Sequence, residues 1–323
     1  MLFRSRYRHV YQEADNFAAF EPYVKWNATV DAAMRIPDMV RQAFRVATTG
    51  RPGPVHLQFQ GFEGQVDAEE ADLDCAAETA FARVPPFRPQ PPSELVREAL
   101  ARIAAAEPPV IVAGGRCRAS GAGSALRAFA EMAGVPVATS LNGRDSIPNT
   151  HPLSVGVVGS YSRASANSVV AEADLVIFAG STAGSMTTHF WTLPKAGTKV
   201  IQIDIDPAVI GRNYAGTFGI HADAKATFDA LLSAAKDAAL PRRNAWLGRA
   251  AEICRAWSRL TTVRLPSGSQ AASEAASSSS SATRPSRSPT CSARRPAVPC
   301  RRVSSPPASS TPSRCSASSS VRF

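Results

Sequence analysis

Two runs of this chain, Val110–Ala113 and Leu175–Ala179, are apolar at every position, and each is followed by glycine. A strand with one face in water alternates between apolar and polar residues. A strand apolar throughout must be covered on both faces, as in a parallel sheet between two helix layers. The intervening sequence supplies such helices. Ser93 is placed to cap a helix whose Leu95, Val96, Ala99, Leu100 and Ile103 share one face. Ala125–Ala133 is helical and stops at Gly134, and Ala164–Ala173 and Ala224–Ala238 are helical. Val135–Thr139, Lys199–Ile205 and Gly219–Ala222 complete five expected strands, and residues 140–160 read as one long Gly/Pro/Asn loop. A last helix at about 242–258 carries Trp246, Ile253 and Trp257.

The N-terminal part has a separate pattern. Ile36, Met39, Val40, Ala43, Phe44 and Ala47 fall on one helix face, with Pro37 in the first turn and Gly50 just past the end. Pro52 and Pro54 then set an extended entry into a strand at Val55–Phe59. Residues 61–92 are acidic at first and proline-rich later, the pattern of a linker. The expected fold is therefore α/β. A doubly wound, Rossmann-like parallel sheet forms a central domain at 93–260. A fragment of a second α/β domain lies at 1–62, a linker at 63–92 and a disordered Ser/Arg/Pro-rich tail at 261–323.

The tail explains the charge of the chain. Residues 264–323 hold nine arginines and the single acid Glu274, a net +8 of the chain's +10. The basic balance thus says little about nucleic acid. The tail has almost no Leu, Ile or Phe to offset chain entropy. It reads as a basic arm, as disorder without function, or as the product of a lost coding frame. Cys75, Cys117, Cys254, Cys291, Cys300 and Cys315 show no metal-ligand spacing, so no metal site is expected. Scattered thiols suit a reducing cytoplasm, and no apolar run is long enough to span a membrane.

Ligands of doubly wound sheets sit beyond the carboxyl ends of the strands. The candidates there are Gly114, Gly115, Ser140, Gly180, Ser181, Asp204 and Asp206. Glycines let a backbone approach a phosphate, and either aspartate can accept from a ribose or adenine; equally, the glycines serve turns and the aspartates cap them. The Gly121-x-Gly123 spacing lacks the third glycine of a dinucleotide fingerprint. His56 lies in a strand, a structural position; His151 has only Asp145 as a near carboxylate in sequence. His189, Phe190 and Trp191 form either a ligand edge or a packed cluster. Nothing in these patterns marks a catalytic nucleophile, a phosphate loop or paired acids.

The order of motifs resembles the thiamine diphosphate-dependent enzymes, and most nearly the acetolactate synthase large subunit type. Tyr11–Asp15, Lys25-Trp26 and Ala43–Leu57, with its Gly50-Arg51-Pro52-Gly53-Pro54-Val55 core, are similar to the end of that family's pyrimidine-binding domain. Pro109–Gly115, Ala173–Ile177, Ile203–Pro207, Ile210–Asn213 and Ala222–Ala224 resemble its central domain. The resemblance covers about residues 7–260.

It implies thiamine diphosphate and Mg2+ as cofactors, a 2-oxo acid such as pyruvate as substrate, and a homo-oligomer or a full-length subunit as partner. Gln12 and Lys25 are its candidate substrate-side contacts. FAD is a further possibility, although the family's Arg-Phe-Asp-Asp-Arg segment reads Ser181–Met186 here. The cofactor-activating glutamate belongs to a part of the pyrimidine domain that would precede Met1. The 323 residues contain no Gly-Asp-Gly…Asn-Asn segment for the diphosphate and its metal. The expectation is thus a partial enzyme, inactive alone, with no catalytic residue of its own. The alternatives are a stand-alone FAD or adenine nucleotide-binding module and a structural partner of a full-length subunit.

Overall fold

The computed structural model describes residues 14–59, 76 and 78–261, the last three by backbone alone. The expected tail at 261–323 lies outside the described residues except for its first position. Among the described residues, eight strands form two parallel sheets. The larger contains β3 (Pro109–Ala113), β4 (Val137–Thr139), β5 (Ser154–Val157), β6 (Leu175–Ala179), β7 (Lys199–Asp204) and β8 (Phe218–His221). Their spatial order is β5-β4-β3-β6-β7-β8. Chain order therefore runs outward from β3 in one direction and resumes at β6 in the other, the doubly wound arrangement.

The apolar runs are explained by where their side chains go. Successive residues of a strand point to opposite faces. Ile111 of β3 and Ile177 of β6 enter one core with Val96, Leu100, Leu126, Phe129, Phe228 and Leu231. These belong to α3 (Ser93–Ala105), α5 (Gly123–Ala133) and α7 (Ala224–Lys236). Val110, Val112, Val176 and Phe178 enter a second core with Val169, Val170 and Trp246, from α6 (Ala164–Glu172) and α8 (Asn244–Thr261). Every residue of β3 and β6 is buried. A polar residue at any of these positions would lose its water without a partner, which is why the pattern is continuous.

Three local expectations needed revision. Ser93 does not cap α3: Pro92 occupies the cap position, and the Ser93 hydroxyl turns to Glu94 instead. The 140–160 loop contains a short helical turn at Leu141–Ser146 and the edge strand β5. β5 has four residues, one of them glycine, so no alternation marks it. The small sheet pairs Val55–Phe59 (β2) with an unforeseen parallel partner, β1 (Trp26–Val30). The helix expected before β2 is present as α2 (Ile36–Thr48), but its apolar face is incompletely covered and Phe44 is 57% exposed.

One buried cation joins three helices. Arg243, just ahead of α8, is 6% exposed. Its guanidinium donates to the carbonyls of Ile103 and Ala106 at the end of α3, and to Ala133 at the end of α5 at 2.5 Å. Last-turn carbonyls lack intrahelical donors and carry partial negative charge, so a guanidinium fork meets two helix ends at once. Gly134 takes the left-handed conformation at φ 61° and turns the chain away beneath Arg243.

No helix among the described residues is long and apolar enough to cross a membrane.

Arg243→Met should destabilise the protein by about 3 kcal/mol, since several buried carbonyls lose their donor together. Urea unfolding would show a lower midpoint with an unchanged slope. We also expect limited proteolysis to cut within 1–92, where α2 is half-covered, well before 93–258; equal resistance of both parts would remove the proposed division.

Candidate functional site

The carboxyl ends of β3 and β6, where strand order reverses, face a narrow crevice. Gly114 follows β3 and Gly180 follows β6. The Gly114 N–H donates to Ala179 O at 2.8 Å, and the Arg116 N–H to Gly180 O at 3.1 Å. A Cβ on Gly114 would lie 2.1 Å from Gly180 O, closer than any side chain tolerates. Gly115 packs in turn against Asn142. These glycines let two backbones meet.

The polar candidates are also engaged internally. Asp204, at the end of β7, is buried and accepts from Arg116 through both oxygens: Nε to Oδ1 at 2.9 Å and Nη2 to Oδ2 at 2.6 Å. Its Oδ1 takes a further bond from the Asp206 N–H at 2.9 Å. Asp206 caps the turn at Pro207–Val209 by accepting from the Ala208 N–H, and lies 4.0 Å from Arg51. The Ser140 hydroxyl accepts from the Gly143 N–H, and that of Ser181 from the Ala183 N–H. Asp223 caps α7 and pairs with Arg88, which also donates to Ser120 O at 2.6 Å. The strand-end acids thus serve as ion-pair partners and caps.

Of the two proposed substrate contacts, Lys25 alone lies among the described residues. Gln12 lies outside the described residues. Lys25 Nζ donates to Val46 O at 2.5 Å and Thr49 O at 2.9 Å. It closes the carboxyl end of α2 as a cation against that helix dipole. Burial lowers its pKa, with Asp206 acting in the opposite direction. His56 Nδ1–H donates to Asn27 Oδ1 at 2.8 Å and its ring stacks on Phe20 at 4.4 Å, a structural role. His151 contacts Glu131 at 2.8 Å rather than Asp145, because α5 brings that residue back from 20 positions away. Phe190 and Trp191 do not form a packed cluster: they are 61% and 54% exposed. With His189 they form three successive left-handed residues, tied by the Thr188 hydroxyl, which accepts from the Trp191 N–H.

Sequence reasoning missed Arg116, the group around which the crevice is organised. A signal existed: a buried aspartate requires a cation or several donors, and Arg116 directly follows Gly114-Gly115.

Comparison with known proteins places this geometry. Residues 96–231 match the family described as thiamine pyrophosphate enzyme, central domain. The chain belongs to the thiamine pyrophosphate enzymes through this domain. It is 34% identical over 247 residues to a probable acetolactate synthase large subunit of Methanocaldococcus jannaschii, which covers 75% of this chain and 41% of that protein. It is 33% identical over 242 residues to glyoxylate carboligase of Escherichia coli O157:H7, covering 73% and 40%. Among solved structures, a putative thiamin diphosphate-dependent enzyme from Mycobacterium smegmatis aligns with a TM-score of 0.51 at 26% identity, covering 68% of this chain and 41% of that one. The chain spans about two-fifths of the length of these relatives.

The family implies thiamine pyrophosphate. The described residues do not fit a metal-held diphosphate: no three His, Cys, Asp or Glu side chains among them gather as metal ligands. Gly114 and Gly180 are closed on each other, so no step of the family's chemistry is assigned to this site.

The crevice also sets a thiol. Cys117 in α4 (Gly115–Ala119) is fully buried, with Sγ 3.1 Å from Ala179 O. Burial pushes its pKa up from 9.0 to about 12. The folded state thus favours the neutral thiol. The stability this contributes is complete below about pH 9 and falls as pH rises from there towards 12. At pH 8, mapping of alkylated cysteines by mass spectrometry should show Cys117 protected in native protein and labelled in urea. Labelling in native protein would contradict its burial.

Proposed function

We propose that this chain supplies the central domain of a thiamine pyrophosphate-dependent enzyme of the acetolactate synthase type, acting on 2-oxo acids such as pyruvate. The observation that carries this is the 247-residue similarity to a probable acetolactate synthase large subunit. It is longer than the 96–231 family match, which supports extending the likeness beyond that match. The role of residues 93–260 is then structural: a rigid α/β body, joined through 63–92 to the end of a pyrimidine-binding domain at 1–62. Mg2+ and the diphosphate would be held by a Gly-Asp-Gly…Asn-Asn segment, which these 323 residues do not contain. The chain by itself is then inactive, and its partner is a second copy or a full-length subunit. A cytoplasmic location accords with its scattered thiols.

The thiamine pyrophosphate acts as an electron sink for a substrate carbanion when bound. What this chain contributes is position, through contacts such as Arg88–Asp223 and Arg51–Asp206. The test is a graft. Residues 93–258, put in place of the central domain of an acetolactate synthase large subunit, should give a folded protein with thiamine pyrophosphate-dependent product formation from pyruvate. The isolated chain should form none from pyruvate or glyoxylate with the cofactor and Mg2+ present. A folded but inactive graft would overturn the assignment; turnover by the chain alone would overturn its inactivity.

A further inference from the structure

The switch-point crevice of a doubly wound sheet is where nucleotides bind, and here the chain fills it with its own groups. The cavity left at that point is about 20 Å³, room for about one water. Ligand pockets for molecules of drug size run to about 300 Å³ or more. Its walls include Arg116, Gly180, Asp204 and Asp223 from the large sheet and its helices. Val84 and Pro85 of the preceding segment, with Gly50 and Pro52 from the end of α2, form the other side.

Three features close it. First, the Gly114 and Gly180 backbones are in contact, so no phosphate can slide between the ends of β3 and β6. Second, Arg116 reaches from the start of α4 across β6 to the end of β7, where it takes both oxygens of Asp204. Asp204 is the acid that a ribose or adenine would have to engage, and its remaining acceptor capacity goes to the Asp206 N–H. A ligand hydroxyl could reach it only by displacing a bidentate guanidinium from a carboxylate with no exposed surface. Third, Arg88 holds the preceding segment down: it bonds Asp223 and Ser120 O, and the Asp223 N–H donates to Pro89 O at 2.9 Å. The segment is tied to the crevice at Arg88 and Pro89.

We propose that Arg116 is a built-in occupant of the nucleotide crevice, and that this domain binds neither FAD nor an adenine nucleotide. The guanidinium supplies Asp204 with the donors that a ribose would supply, and the 84–85 segment covers the opening. The inference goes beyond the enzyme class and holds whether or not the 2-oxo acid assignment does.

Two titrations test it on the full chain. Wild-type protein, purified after expression, should carry no visible flavin absorbance. FAD and ADP, each added to about 1 mM, should give no saturable signal, which excludes any Kd much tighter than about 1 mM. Co-purified flavin or saturation by either ligand would overturn the proposal without need of a variant. The second titration uses R116G, checked for its fold by circular dichroism, with R116S as its replacement if it does not fold. Removing the occupant frees both Asp204 oxygens, so saturable binding of adenosine, absent from wild type, should appear, while ADP stays excluded because the Gly114–Gly180 contact still bars a phosphate. A folded variant that binds no better than wild type would refute Arg116 as the group that closes the site.

Discussion

Two strands can lie side by side at a topological reversal only if the chain leaving each of them finds room above the sheet. At β3 and β6 that room is nearly absent. The chain leaves β3 through Gly114 straight into α4 and leaves β6 through Gly180, and the two backbones touch. The rest of the upper surface depends on this contact. With α4 pressed onto β6, Cys117 is sealed over Ala179 and Arg116 is aimed at β7. Asp204 can therefore be buried at the end of β7, since a guanidinium arrives with both of its donors. Asp204 then orders the backbone at Asp206, which caps the next turn. One steric condition thus propagates from Gly114 and Gly180 to Asp204 and Asp206.

The large sheet was legible in the sequence because its signal is redundant. β3 and β6 are apolar on both faces, and the neighbouring helices α3 and α5 carry period-3.6 apolar faces, α5 ending at Gly134. The helix face at Val96, Ala99, Leu100 and Ile103 is buried as expected. The elements that escaped notice had no such redundancy. β5 is a four-residue edge strand with a glycine in it, and β1 is only partly buried, so its alternation is weak. The crevice was legible in place but not in content. Glycines and aspartates at strand ends suit a ligand and suit close packing equally, and only the direction of Arg116 separates the two. That direction depends on where α4 begins, which no local pattern encodes. His151–Glu131 is the same kind of case: a contact made by a helix returning over a strand, invisible to spacing along the chain.

The segment ahead of the large sheet is held by polar contacts more than by burial. Arg45 at the end of α2 pairs with Glu78 and lies 4.7 Å over the Phe81 ring, while Phe81 meets Phe87 edge-on at 5.6 Å. Arg88 then anchors the chain to Asp223. Exposed pairs of this kind contribute little each, but Asp223 is 1% exposed, and a buried acid deprived of its cation costs far more than a surface pair gains. The attachment therefore concentrates at Arg88, and the half-covered face of α2 adds little to it.

A fold does not carry a reaction; residues grafted on it do. In this chain the positions where doubly wound proteins place such residues are assigned to structure. Asp204 has Arg116, Asp223 has Arg88 and the first turn of α7, and Asp206 has its own turn. Each already accepts from a guanidinium or an N–H of the chain itself. The reversal point that elsewhere opens for a ligand is closed here by the backbone contact that lets β3 and β6 lie together. Opening it for a nucleotide would require undoing the Arg116–Asp204 pair, and that pair also holds the turn after β7. Stability and ligand access compete for the same few side chains, and this sequence resolves the competition for stability.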